Sequence, residues 1–187
     1  VRAAVSLLET RPLAELSLRE VARIAGVSNG APYRHFKRRA DLLVAVALEG
    51  FAALDRVLTA VDASEHPAGE RLEQRTLAYM RFAVAHGPHY RVMFSPELRE
   101  SENAATYDRV ARASFAGLVE AVLTAQPRLD AGHASEVALA LWSGAHGAAL
   151  LAIDGTLSGL AASGPKRDAL LVTTARHLTR IAISAGT

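Results

Sequence analysis

Cysteine is absent from all 187 residues, so the chain has no disulfide framework, no thiolate nucleophile and no thiolate metal site. That composition suits a reducing compartment, and a cytoplasmic location is expected. Aromatic residues make up only 5% of the chain, with a single tryptophan, and β-branched residues are few, so little favours a sheet. Net charge is also small. A formal +2 is too little to mark a nucleic-acid binder by itself. No basic-then-apolar signal segment, internal repeat, low-complexity tract or strand pattern is visible. Nucleophile–base pairs, phosphate-cradling glycine loops and metal-ligand sets are missing too, so neither catalysis, a cofactor nor a metal is expected. His133 and Glu136 lie three apart on one helical face, but no clear third ligand accompanies them. The chain begins at Val1 without an initiator Met, and the start of its first helix is expected to be trimmed.

What is present favours helices. Half the residues are hydrophobic, and Ala and Leu dominate. An apolar-rich helix over residues 1–9 is closed by Arg11 and Pro12. Ser17 followed by Glu20 is a capping box, in which Ser17 accepts from the Glu20 amide and the Glu20 side chain reaches back to the Ser17 amide. Leu16 and Val21 occupy the hydrophobic-staple positions. Leu18, Val21, Ala22 and Ala25 follow with helical spacing, and Gly26 supplies the left-handed residue that ends the helix. Ser28 is the next expected N-cap, for a second short helix reaching about Phe36. Two short helices joined by a glycine-containing turn form a helix-turn-helix. Directly after them stands a basic run, Arg34, His35, Lys37, Arg38 and Arg39.

A long helix is expected over residues 39–61, burying Leu42, Leu43, Val46, Ala47, Phe51, Leu54 and Leu58. The polar stretch 62–69, with Pro67, reads as a connector to a larger C-terminal part. Further helices are expected over residues 70–85, 89–94, 103–125, 131–153 and 166–184, with a Gly/Ser-rich loop before the last. Residues 137–153 are apolar nearly all round and must be covered on every side. At about one turn short of a membrane span, and carrying Ser143 and His146, they read as a core helix with no membrane partner. Gly144, Ala145, Gly147, Ala148 and Ala149 permit close approach of another helix. With a stripe of Leu170, Leu171, Thr174, Leu178 and Ile181, they point to an antiparallel pair doubled across a two-fold axis.

The run Val21, Ala22, Ala25, Gly26, Val27, Ser28, Gly30, Tyr33, His35, Phe36, Lys37, Leu42 and Leu43 resembles the DNA-binding module of the TetR family. Trp142, His146 and Gly147 resemble a Trp-then-His-Gly signature carried by a subgroup of that family. The resemblance implies an all-α fold: a three-helix helix-turn-helix DNA-binding domain at residues 1–48, and a helical regulatory and dimerisation domain at residues 49–187. It further implies a homodimer built through the last two long helices, bound to a palindromic operator in double-stranded DNA. A small-molecule effector would release the repressor; a DNA-binding organiser without an inducer is the alternative.

On this reading Asn29 bonds a base edge, Gly30 and Ala31 bring the backbone close to the groove floor, and Arg34 reads a guanine or holds a phosphate, with the base favoured. Ser17, Ser28, Tyr33, His35 and Lys37 are expected at phosphates. Pro32, where many relatives carry an aliphatic residue, lacks an amide proton and disfavours helical geometry at Ala31. The expected ligand-pocket residues are Met80, Met93, Phe94, Tyr107, Phe115, Trp142 and His146. Each is of a type that also serves as ordinary core, and His146 suits a satisfied core histidine as well as a ligand contact.

Overall fold

The computed structural model describes residues 1–156 and 164–184, and among these there are helices and no strand. The α-helices are α1 (Arg2–Leu8), α2 (Leu18–Ile24), α3 (Arg39–Asp62), α4 (Ala68–Ala85), α5 (Gly87–Met93), α6 (Ala104–Ala125), α7 (Ala131–Ile153) and α8 (Pro165–Ser184). Short 3-10 turns occur at Leu13–Glu15, Pro32–Arg34 and Pro96–Glu100. Much of the Gly/Ser-rich loop expected before α8 lies outside the described residues.

Packing divides the chain into two compact units. The first joins Val1–Ala53 to His86–Arg112, and the second joins Leu54–Ala85 to the chain from Ala113 onward. Their boundaries fall within α3 and α6, so each unit is assembled from two separate stretches of chain.

The expected stripe of α3 is buried throughout, from Leu42 to Leu58. Each fully buried leucine contributes on the order of 2 kcal/mol. Around the α3 part of the first unit, Ala4, Leu7, Leu8, Leu16, Leu18, Val21 and Ala22 are buried, as are Tyr90, Val92, Met93 and Leu98.

In the second unit α4, α7 and α8 pack on one another. The core there is Leu72, Val122, Ala134, Ala138, Leu141 and Ala182. Small residues set the spacing: a Cβ added at Gly144 would stand 2.6 Å from Leu178 Cδ2, so α7 and α8 meet over a missing side chain. Arg81 clamps Asp168 with bonds of 2.7 and 2.6 Å, and Arg75 pairs with Asp62.

One sequence expectation changes here, that of the α8 face. The buried face of α8 is Leu171, Ala175, Thr179 and Ala182, while Ile181 is 65% exposed. Leu171 of the expected stripe is buried, but the rest of the buried face is the small residues Ala175, Thr179 and Ala182, which allow close helix packing. On α7 the buried stripe is Ala134, Ala138, Leu141, Ala145, Ala149 and Ala152, with Leu139 and Leu151 left exposed. The helix is therefore not covered on every side within one chain.

Its full length is 23 residues, so by length and composition alone α7 is able to cross a membrane. The argument from a short segment does not hold for the helix as formed. His133 serves the start of α7. Its amide donates to Asp130 at 3.0 Å, and its ring Nδ1 lies 2.7 Å from the other carboxylate oxygen of Asp130. The His133 amide, and then its ring, hold the Asp130 carboxyl below its ordinary pKa, and the Asp130 carboxylate holds the imidazole above its own.

Candidate nucleic-acid interface

Local chemistry builds a projecting surface between α2 and α3. Ser17, in extended geometry, accepts the Glu20 amide at 3.2 Å and starts α2. The reciprocal half of the capping box is not made: the Glu20 carboxylate pairs with Arg11 at 2.5 Å. A guanidinium is a stronger partner for an ionised carboxylate than a neutral backbone amide. Leu18, Val21 and Ala22 bury one face, and Arg19 and Arg23 stand exposed on the other.

The helix ends in a Schellman motif. Gly26 has φ +68°, its amide donates to Arg23 at 3.3 Å, and the Val27 amide donates to Ala22 at 3.1 Å. Only a glycine adopts this backbone without strain. The turn projects a continuous exposed segment, residues 23–30.

The second helix differs from expectation. No α-helix forms between Ser28 and Phe36. A turn closed by the Ala31 amide on the Ser28 carbonyl, at 2.9 Å, leads into the single 3-10 turn Pro32–Arg34. Pro32 has no amide to donate back to Ser28, so the α-helical ladder loses an early rung. Ala31 nevertheless adopts helical angles, φ −61° and ψ −43°, so the proline acts through the missing donor rather than the preceding residue. The N-cap of this turn is Ala31 with no side-chain cap, and Ser28 does not fill the capping role.

Pro32 is buried and anchors the segment, while Ser28, Asn29, Gly30, Tyr33, Arg34, His35 and Lys37 are exposed and Ala31 is half-buried. Tyr33 exposes half of its surface, well beyond a core tyrosine. Nothing lies within 4 Å of a Cβ added at Gly30, so its backbone is open to an approaching partner. Ser17, half-buried, accepts its cap bond through Oγ, a bond that does not use its hydroxyl proton. Arg19 and Arg23 add positive charge to this surface and were missed by reading the basic run alone. Their i, i+4 spacing opposite the apolar face of α2 was the available signal.

The basic run divides by role. Arg38 is exposed, but Arg39 is structural, bonding Glu97 at 2.6 Å and the Leu13 carbonyl. Lys37 donates to Glu102.

The expected pocket residues fall into two groups. In the first unit the Tyr107 hydroxyl donates to the Met93 carbonyl at 2.9 Å. Phe94 and Tyr107 stand 6.2 and 6.1 Å from the Phe51 ring, between centroids. Burial raises the Tyr107 pKa, so the phenol stays protonated. In the second unit Met80 is fully buried, and Phe115 packs edge-on against Trp142 at 6.1 Å. The Trp142 indole donates to the Tyr79 hydroxyl at 2.9 Å, and that oxygen lies 3.2 Å from His146 Nδ1. Burial lowers the His146 pKa, which favours the neutral ring that accepts at Nδ1. Tyr79 was not foreseen, because sequence gives no register between helices 67 residues apart. A cavity of about 220 Å3 in the second unit is lined by Asp62, Arg71, Leu72 and Glu120 among others, and by none of the expected residues.

Residues 1–46 match the profile of bacterial regulatory proteins of the tetR family, and residues 72–178 match that of a tetracyclin repressor-like C-terminal domain. A protein of unknown function from Rhodococcus sp. RHA1 is 33% identical, with a TM-score of 0.75 over 96% of this chain and 91% of that one. The TetR family transcriptional regulator PfmR from Thermus thermophilus is 16% identical, with a TM-score of 0.70 over 95% of each chain. A TetR transcriptional regulator from Rhodococcus sp. RHA1 is 19% identical, with a TM-score of 0.59 over 95% of this chain and 91% of that one. Among curated proteins none matches. With both parts of the chain matched, the second over more than half its length, the protein belongs to the TetR family of DNA-binding bacterial transcription regulators.

Proposed function

We propose that the protein is a cytoplasmic, homodimeric repressor that binds a palindromic operator and is released from it by a small-molecule ligand. Residues 1–48 act as the reading domain and residues 49–187 as the regulatory and dimerisation domain. The observation that carries the reading is the exposed segment 23–30, which runs into exposed Tyr33, Arg34 and His35. A protein core gains nothing from such a surface, whereas a major groove accepts it.

In this proposal Asn29 and Arg34 contact base edges, and Gly30 and Ala31 let the backbone approach them. Ser17, Ser28, Tyr33, His35 and Lys37 hold phosphates. The exposed apolar residues Leu139, Leu151 and Ile181 of α7 and α8 support a dimer, since a second copy would cover them. Half-sites on one face of DNA lie about 34–36 Å apart, so a ligand preferring another arrangement of the two copies breaks the register. Met93, Phe94 and Tyr107 in the first unit, and Met80, Phe115, Trp142 and His146 in the second, are the ligand-contact candidates of this reading, each set within its own unit.

The test is selection of duplexes from a random-sequence pool, followed by fluorescence anisotropy on a selected and an unselected duplex. A palindromic selected site, bound by a dimer and weakened about tenfold by Tyr33→Ala and by a smaller factor by Lys37→Ala, is the expected result. Folded protein that enriches no sequence would overturn it.

A further inference from the structure

Lys37 is already occupied by an anion of its own chain. Its Nζ donates to both carboxylate oxygens of Glu102, at 3.2 and 3.0 Å. The two residues are 65 positions apart, and what brings them together is a buried carboxylate. Asp41, 6% exposed in the first turn of α3, accepts the Ser101 hydroxyl at 2.7 Å and the Glu102 amide at 3.3 Å on one oxygen. Its other oxygen accepts the Arg38 amide at 2.9 Å. The backbone carrying Glu102 is thus tied to the residue that follows Lys37. The pair itself stays open to solvent, with the side chains 72% and 55% exposed, and so can be broken without unpacking anything.

A carboxylate offers a lysine the same paired anionic oxygens as a phosphate does. We propose that Glu102 is an intramolecular stand-in for phosphate, which occupies Lys37 in the DNA-free protein and is displaced when Lys37 takes a DNA phosphate. Asp41 and Ser101 act as positioning residues that keep the competitor opposite its lysine. Lys37 then exchanges one ion pair for another, and it contributes less affinity than an unpaired lysine would. Glu102, once released, draws back a cation that offsets the counterion freed at the phosphate. α6 begins at Ala104, two residues beyond Glu102, so any shift of the 101–102 segment changes how available Lys37 is. The inference rests on the DNA-binding reading above.

Anisotropy titrations of wild type, Glu102→Gln, Lys37→Met and the double variant, on a selected duplex over a salt series, test it. Glu102→Gln is expected to tighten binding about two- to five-fold, the range of an exposed ion pair. It is also expected to steepen the slope of log K against log salt by up to about 0.9. In the Lys37→Met background it should change neither. Ser101→Ala, which loosens the competitor without removing it, should move affinity and slope in the same direction by less. Equal tightening in both backgrounds would mean that Glu102 acts only as a general negative charge, and would overturn the inference. So would an unchanged affinity in Glu102→Gln. Wild type that binds no duplex would remove the DNA reading and this inference together, whereas selective binding with an inert Glu102 removes this inference alone.

Discussion

The two units are held together by different physics. The first adds charge to its apolar core: Asp41, Arg39 and Lys37 link the start of α3 to segments far away in sequence. The second is fastened mainly by fit, with alanines of α7 and α8 buried and Leu178 lying over Gly144. The contrast follows from what each must display. On the proposed role a surface offered to DNA cannot be buried, and the exposed segment is steadied from one side by its anchor Pro32 and by ionic bonds at its end. A stack of long helices has area to spare and gains its stability in many small contacts. The first unit should therefore be sensitive to the loss of a single polar atom, and the second to a change in volume or surface.

Asp41→Ala carries the largest expected effect. It strips the partner from the Ser101 hydroxyl and from the Arg38 and Glu102 amides, at a cost of about 3 kcal/mol in urea unfolding. A loss below about 1 kcal/mol would show that the ionic fastening is ornamental. The Ser101 hydrogen bond, with help from the Arg38 and Glu102 amides, holds the Asp41 carboxyl below its ordinary value of 3.8. A depressed carboxyl contributes stability that is complete above 3.8 and is lost as pH falls through the lowered folded value. Asp41→Asn should flatten that part of the acid-unfolding curve.

Tyr79→Phe probes the polar exception inside the second unit. An indole N–H only donates, so Tyr79 accepts from Trp142, and a neutral His146 accepting at Nδ1 takes the Tyr79 hydroxyl as donor. Removing that hydroxyl should cost about 1 kcal/mol, less than Asp41→Ala because no charged group is involved. Trp142 is the single tryptophan, so its emission reports the change directly. Burial depresses the His146 pKa below 6.5, so the stability it contributes is complete above 6.5 and lost as pH falls through the folded value. Trp142 emission should shift over that acid range in wild type and stay flat in His146→Gln. A shift that persists in His146→Gln would place the titration elsewhere.

The close packing of α7 is legible in the sequence and the ionic links of the first unit are not, for physical reasons. Helix ends were readable because Gly26, Pro12 and Pro67 act locally, and the α3 stripe was readable because large apolar side chains dominate burial there. The face of α8 was misread by weighting Leu170 and Ile181, since close packing prefers Ala175 and Ala182. Helical spacing predicts an α-helix for the segment after Ser28, and the one donor that Pro32 lacks is enough to prevent it. Lys37 was found as a cation, but its partner was not, because nothing local in sequence pairs residue 37 with residue 102. In the site, residue identity was legible and partnership was not.

The smallest effect within a single chain tests the surface of the second unit. At 100° per residue, Leu139, Ala140, Ser143, Gly147 and Leu151 share the face of α7 opposite its buried alanines. Gly147 lies near the middle of that face, and a Cβ added there meets nothing within 4 Å, unlike one at Gly144. Alanine in a helix interior is favoured over glycine by roughly 0.8–1 kcal/mol, so Gly147→Ala should make the isolated chain slightly more stable. If a helix of a second copy crosses at this glycine, the same methyl should weaken association several-fold, because overpacking costs about 1–3 kcal/mol. Sedimentation equilibrium across a concentration series separates the two, since dimerisation itself raises apparent stability by mass action. A more stable chain with a weaker dimer would place the crossing at Gly147. A more stable chain with an unchanged dimer would leave the face apolar but move the crossing away from its glycine, toward the exposed side chains Leu139, Leu151 and Ile181.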